Sequence, residues 1–176
     1  MGNELYEYTV DKKPEGAYRL KRLLMIALYV AFFVGLFVVV MIIKIYPTFA
    51  IAPILTYILV LCTWRYVSIE YRYEVEHGEL RLMTVYGGKK KKLNDTLIIK
   101  SASAILPYEK ATDAIAAFSA SVTYDLLSSH VSPKDPYAIM LERDRKRILV
   151  LLEMPEPSKK AVLYYATDAV REMAKL

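Results

Sequence analysis

An unbroken run of 21 uncharged residues, Leu23–Ile43, constrains this chain more than any other feature in it. At about 1.5 Å per residue, a helix over this run is roughly 32 Å long, enough to cross a ~30 Å hydrocarbon core. Lys44 stops it. Pro47 then fits the first turn of a second helix, where its missing N–H costs nothing. The stretch Pro47–Trp64 carries no charge and would be roughly 27 Å long. Only Lys44, Ile45 and Tyr46 are left as a connection, so the pattern predicts a tight transmembrane hairpin with both chain ends on one side. A signal peptide would have a shorter apolar region and no second span. Two adjacent helices apolar on every face would need a much larger soluble protein to bury them.

Composition agrees. Hydrophobic residues make up 55% of the 176 and the mean hydropathy is +0.24, yet 24% are charged, so the apolar excess is local. That apolar content, with 6 glycines and one cysteine, excludes disorder, collagen and a disulfide scaffold. Lys12, Lys13, Arg19, Lys21 and Arg22 precede the first run and Arg65 and Arg72 follow the second, against Lys44 alone between them. The positive-inside bias therefore predicts a multi-pass cell-membrane protein with both termini cytoplasmic. Trp64 and Tyr66 suit the interfacial depth beside Arg65. Cys62 reads as a small apolar residue within the second span. The chain starts Met-Gly but has Tyr6 where a myristoylation signal needs Ser or Thr.

Ala27, Ala31 and Gly35 repeat every fourth residue, so they share one helix face that admits close approach of another helix. Two occupants fit: the chain's own second span, through Ala52 and Thr56, or a second membrane protein or copy.

The expected divisions are a cytoplasmic N-terminal segment over 1–22, spans over 23–43 and 47–64, and a cytoplasmic domain over 67–176. In the last, 18 Lys/Arg from Arg65 onward face 15 Asp/Glu, which gives no field suited to nucleic acid. Ile69, Tyr71, Tyr73 and Val75 alternate with charged residues, the period of a half-buried strand. His77-Gly78 and Gly87-Gly88 are turn candidates between further alternating segments. The segment from Lys89 through Leu97–Ile99 to Ile105–Pro107 reads as a strand, a break at Asn94-Asp95 and a second short strand, and a helical turn is predicted over 110–117. Further strands are predicted at Ala120–Leu126, Tyr137–Glu142 and Arg147–Glu153, the last two joined by the charged turn Asp144-Arg145-Lys146. Pro155 and Pro157 then lead into an amphipathic helix, with Ser158 as its N-cap and Val162, Tyr165, Ala166, Ala169, Val170 and Met173 on its apolar face. The fold class is α+β: the hairpin, then about seven strands in a curved sheet closed by a C-terminal helix.

The segments "YRYEVEHGELRLMTVYGGKKKKL", "FSASVTYDLL" and "YAIMLERD", with the two spans and the proline-led last helix, resemble a family of small clostridial-type two-span membrane proteins of unassigned activity. The cytoplasmic part of that family looks like a bacterial pleckstrin-homology (PH) domain. The resemblance covers chiefly residues 10–175. It implies a PH-like barrel capped by a C-terminal helix, and it brings no catalytic residues.

The residues themselves offer little chemistry. His77 and His130 are the only histidines, too few for a metal cluster with an intramembrane cysteine, and no phosphate-binding glycine motif occurs. Ser128, Ser129 and His130 with Asp125 could be imagined as nucleophile and base, but neighbours on one loop rarely point at one another. No cofactor and no catalytic residue is expected.

One feature implies a partner, the run Lys89, Lys90, Lys91 and Lys92. Polybasic segments beside an anionic leaflet gain about 1 kcal/mol per lysine, so four give roughly 4 kcal/mol, near millimolar affinity. That is too weak to recruit a free protein but enough to orient one already at the surface. The same lysines also serve as a solvated strand face or a blunted sheet edge. Arg143, Arg145, Lys146 and Arg147 form a second basic turn open to the same two readings. The expectation is a non-enzymatic, membrane-tethered PH-like domain that contacts protein or anionic lipid. The alternative is a small accessory subunit of a transporter or other membrane complex, joined through the hairpin.

Overall fold

The computed structural model describes residues 5–44 and 51–174. Their contacts form two compact units: one gathers the described parts of Met1–Lys12, Glu70–Val85 and Lys91–Leu176, the other those of Lys13–Ile69 with Tyr86–Lys90.

The second unit contains two apolar helices, α1 (Gly16–Ile43) and α2 (Ile51–Thr63), followed by a 3₁₀ turn at Trp64–Tyr66. α1 is the one helix among the described residues long and apolar enough to cross a membrane; the apolar stretch Ile51–Tyr66 is shorter. α1 begins at Gly16, seven residues before the uncharged run. Arg19, Lys21 and Arg22 therefore lie in its first turns, because a helix need not stop where the hydrocarbon does. Lys44 ends it in the left-handed conformation, its N–H donating to the Val40 carbonyl at 3.0 Å. Ile45 and Tyr46 of the predicted connection, and Pro47, fall outside the described residues.

The helices pack antiparallel. Near the start of α1, the Tyr18 hydroxyl donates to the Val67 carbonyl and accepts from the Ile69 N–H. The Arg22 guanidinium lies 5.3 Å from the Trp64 ring, and Tyr29 Oη is 2.7 Å from Thr63 Oγ1. Tyr29 and Ala52 are buried.

The first unit has two four-stranded sheets, eight strands where about seven were expected. One sheet has the order β1-β2-β3-β4, from Tyr6–Asp11, Ile69–Glu76, Glu79–Tyr86 and Lys90–Ile98. The additional strand is β1, within the N-terminal segment over 1–22, where the sequence pattern predicts no strand. The expected break at Asn94-Asp95 falls inside β4, and the chain breaks instead at the 3₁₀ turn Ile99–Ser101. It pairs antiparallel with β2, Tyr8 opposite Tyr73 and Val10 opposite Tyr71. Its Tyr-Glu-Tyr-Thr-Val-Asp alternation continues the pattern of its partner, with Val10 buried.

The other sheet has the order β5-β7-β8-β6, from Ala102–Pro107, Pro136–Arg143, Lys146–Glu153 and Val122–Leu126. β6 runs parallel to β8; β7 lies between them in the chain, and α3 (Tyr108–Phe118) carries the chain from β5 at one edge of the sheet to β6 at the other. α3 covers the outer face of the sheet through Ala111 against Ala138, Met140, Leu149 and Leu151. Ile139, Leu141, Ile148, Val150 and Leu152 face inward to Tyr73, Val75, Leu80, Leu82 and Leu97. Covered on both faces, β7 and β8 carry continuous apolar runs rather than alternation.

The C-terminal helix is two helices, α4 (Glu156–Tyr165) and α5 (Asp168–Met173). Val162, Ala166 and Val170 enter the core. Ala169 is exposed, so the predicted single apolar face is broken at the kink. Tyr165 is half-buried, with its ring against the His77-Gly78 turn: a Cβ on Gly78 would lie 3.3 Å from it. Ser158 does not cap α4. It is buried, donates to the Pro155 carbonyl at 3.0 Å and lies 2.7 Å from the Tyr73 hydroxyl. That hydroxyl is also 2.7 Å from the Glu153 carbonyl, and burial raises its pKa far above the ordinary phenol value.

Candidate anion-binding edge

The lysine run starts in a two-residue turn. Gly87 and Gly88 have φ of +59° and +68°, the left-handed pair that reverses a hairpin with the natural strand twist. Gly87 is also where the turn meets Arg65. A Cβ there would lie 2.8 Å from Arg65 Cβ and 3.0 Å from its Cα, while the Gly87 N–H donates to the Ser68 carbonyl at 2.9 Å. Lys89 and Lys90 thus belong to the same compact unit as the apolar helices.

All four lysines are exposed, and β4 is an edge strand. Lys91 reaches Glu74 at 3.8 Å, and Asn94 donates to Thr84 Oγ1 at 2.8 Å. Strand alternation therefore puts Lys90 and Lys92 on the face of Asn94 and Lys91 on the face of Glu74. One of the four is weakly paired, and the run presents charge on both faces of the strand end.

Further along β4, Asp95 draws in the second basic turn. Arg143 at the end of β7 donates to both Asp95 carboxylate oxygens, at 3.0 and 2.8 Å, and to the Thr96 carbonyl at 2.9 Å. Tyr124 on β6 donates to Asp95 Oδ2 at 3.0 Å. Burial pushes the Asp95 carboxyl up, but the bonds from Arg143, the Thr96 N–H and Tyr124 outweigh it and hold its pKa below the ordinary carboxylate value. Asp144 and Arg145, both left-handed, then form the hairpin tip before Lys146. Arg147 is occupied at 3.1 Å with the Phe118 carbonyl at the end of α3. Sequence reading found both basic segments but not their union, since nothing local in either marks Asp95 as the partner of Arg143.

The other singled-out residues lie elsewhere. Ala27, Ala31 and Gly35 are exposed on α1, and nothing lies within 4 Å of a Cβ built on Gly35. The face of α1 that is covered carries Met25, Tyr29, Leu36 and Val40 instead, so the small-residue face is not the one that meets α2. Ser128 donates its N–H and hydroxyl to the buried Glu153 carboxylate. Ser129 Oγ accepts the N–H groups of Val131 and Ser132, and His130 contacts Asp125 at 3.0 Å. These bonds tie the loop to Glu153, to Asp125 and to its own backbone. Among the described residues, no group of three His, Cys, Asp or Glu is placed to hold a metal.

Two sheets enclosing one core, with short helices at the C-terminal end, define an α+β domain of PH-like class. The chain matches the family model "Bacterial PH-like domain (DUF6106)" over residues 3–172 and belongs to that family. The matched span includes α1 and α2 as well as the sheets. Nothing among curated proteins and nothing among solved structures matches the chain.

Proposed function

We propose that this protein is a non-enzymatic, membrane-tethered PH-like module, held by a two-span hairpin with both termini cytoplasmic, that orients itself through Lys89–Lys92 on anionic lipid headgroups. The pairing of β1 with β2 supports the hairpin. β1 precedes α1 and β2 follows α2, so a chain that crosses the bilayer along α1 must return before β2 can form. Ile51–Tyr66, which is apolar and packed antiparallel on α1, is the segment available for that return.

One observation carries the lipid part: the turn that opens the lysine run rests on Arg65, immediately after the apolar helix ends at Thr63 and Trp64. Lys89 and Lys90 share the compact unit of the apolar helices, so a lysine run that starts there meets the leaflet at high local concentration. The exposed Ala27, Ala31 and Gly35 face supports a second reading, in which the hairpin also docks another membrane helix as an accessory subunit.

The test uses the full chain in lipid nanodiscs, with Cys62→Ala and a fluorophore on Leu93→Cys. Quenching by a headgroup-labelled lipid should be stronger in phosphatidylglycerol-containing discs than in phosphatidylcholine alone. It should fade as the Debye length falls from about 10 Å at 0.1 M salt to about 3 Å at 1 M, and be lost when Lys89–Lys92 become serine. Equal quenching in both lipids would refute the lipid contact.

A further inference from the structure

We propose that Lys92 on β4 and Arg145 and Lys146 at the tip of the β7–β8 hairpin form one composite contact for an anionic bilayer surface, with Asp95 and Arg143 as its positioning residues. This inference rests on the lipid reading above and adds a second segment to it. The two basic segments are far apart in sequence, yet Arg143 fastens them with three hydrogen bonds to Asp95 and Thr96. Lys92 stands three residues before Asp95, about 10 Å along an extended strand. Arg145 follows Arg143 by two residues, at the apex of a two-residue turn.

The chemistry fits a surface better than a single ion. Lys92, Arg145 and Lys146 are exposed, whereas Arg143 and Arg147 are committed to Asp95 and to the Phe118 carbonyl. The free charges therefore stand on two rigid strand ends rather than converging on a pocket. Asp144 shares the hairpin tip with Arg145 and Glu142 lies opposite Arg147 in the strand register, so the exposed Arg145 and Lys146 outnumber the one acid at the tip. A leaflet that carries many headgroups offers partners to both segments at once.

The nanodisc measurement above tests this with two double variants of equal charge. Arg145→Asn with Lys146→Ser, where Asn tolerates the left-handed turn, should lower the anionic-over-neutral quenching ratio at least threefold. Lys110→Ser with Lys160→Ser removes two exposed lysines from α3 and α4 and should leave the ratio unchanged. Asp95→Asn separates positioning from charge: it makes the region more positive, so simple attraction would raise the ratio, whereas loss of the latch lowers it. The composite contact is overturned if the hairpin variant keeps the wild-type ratio, or if the α3/α4 variant loses as much. A rise with Asp95→Asn overturns the positioning role. If the wild type shows no dependence on anionic lipid, the lipid reading itself fails. If only Lys89–Lys92→Ser abolishes the dependence, that reading stands and the hairpin is excluded.

Discussion

At the scale of single residues, two positions carry most of the arrangement around β4. Gly87 combines a left-handed backbone with contact against Arg65, so Gly87→Ala adds a steric clash to the ~1–2 kcal/mol cost of that conformation. Gly16 is also left-handed, but nothing lies within 4 Å of a Cβ built there. Thermal unfolding of the detergent-solubilised chain should therefore show a larger loss for Gly87→Ala than for Gly16→Ala. Equal losses would mean that the turn does not press on Arg65. Asp95 sets a pH dependence with a definite sign. Its folded pKa lies below the unfolded value of about 3.9, so its contribution is fully present at neutral pH and is lost as pH falls through the folded value. The stability gap between wild type and Asp95→Asn should persist at pH 5 and close only as the pH falls below the ordinary carboxylate range.

At the scale of elements, the kink between α4 and α5 is built by Arg171. It donates from Nε to the Leu163 carbonyl at 2.7 Å and from its other nitrogens to the Tyr164 carbonyl and Asp168. Arg171→Met keeps much of the stem's packing but removes the guanidinium from both carbonyls; the Leu163 carbonyl keeps the Ala166 N–H and the Tyr164 carbonyl bond is exposed, so the loss should be about 1 kcal/mol. Hydrogen exchange in the last turn of α4 should rise, with little change in α3. Much of this level could be read from sequence, because its causes are local. His77-Gly78, Gly87-Gly88 and Asp144-Arg145 announced reversals, and the apolar run of β8 announced burial. The rest depends on distant partners. β1 is six residues whose alternation means little without β2 beside it, and the parallel pairing of β6 with β8 leaves no periodicity. The helix break at Ala166 follows from a guanidinium five residues later. Of the candidate site, the lysines could be read and the Asp95–Arg143 link could not.

At the scale of the molecule, the proposed two-span topology makes a direct prediction. Thr48, outside the described residues, should react as cysteine with an impermeant maleimide from outside intact cells. Val131, 84% exposed, should react as cysteine only after lysis. Ser158 would be a poor reporter, because its burial alone would protect it. Reaction at position 131 in intact cells would reverse the orientation and remove the cytoplasmic leaflet as a partner. The strand pairing across the hairpin has a consequence for biogenesis. β1 leaves the ribosome first, but its partner is synthesised only after both apolar helices; Lys12 and Tyr71, which share a 2.8 Å hydrogen bond, are 59 residues apart. On the proposed two-span topology, a chain that enters the bilayer completes the sheet only once its hairpin has returned. A chain threaded once would strand β1 across the bilayer and leave the edge of β2 open, so failed insertion would be marked by an incomplete sheet available to quality-control proteases.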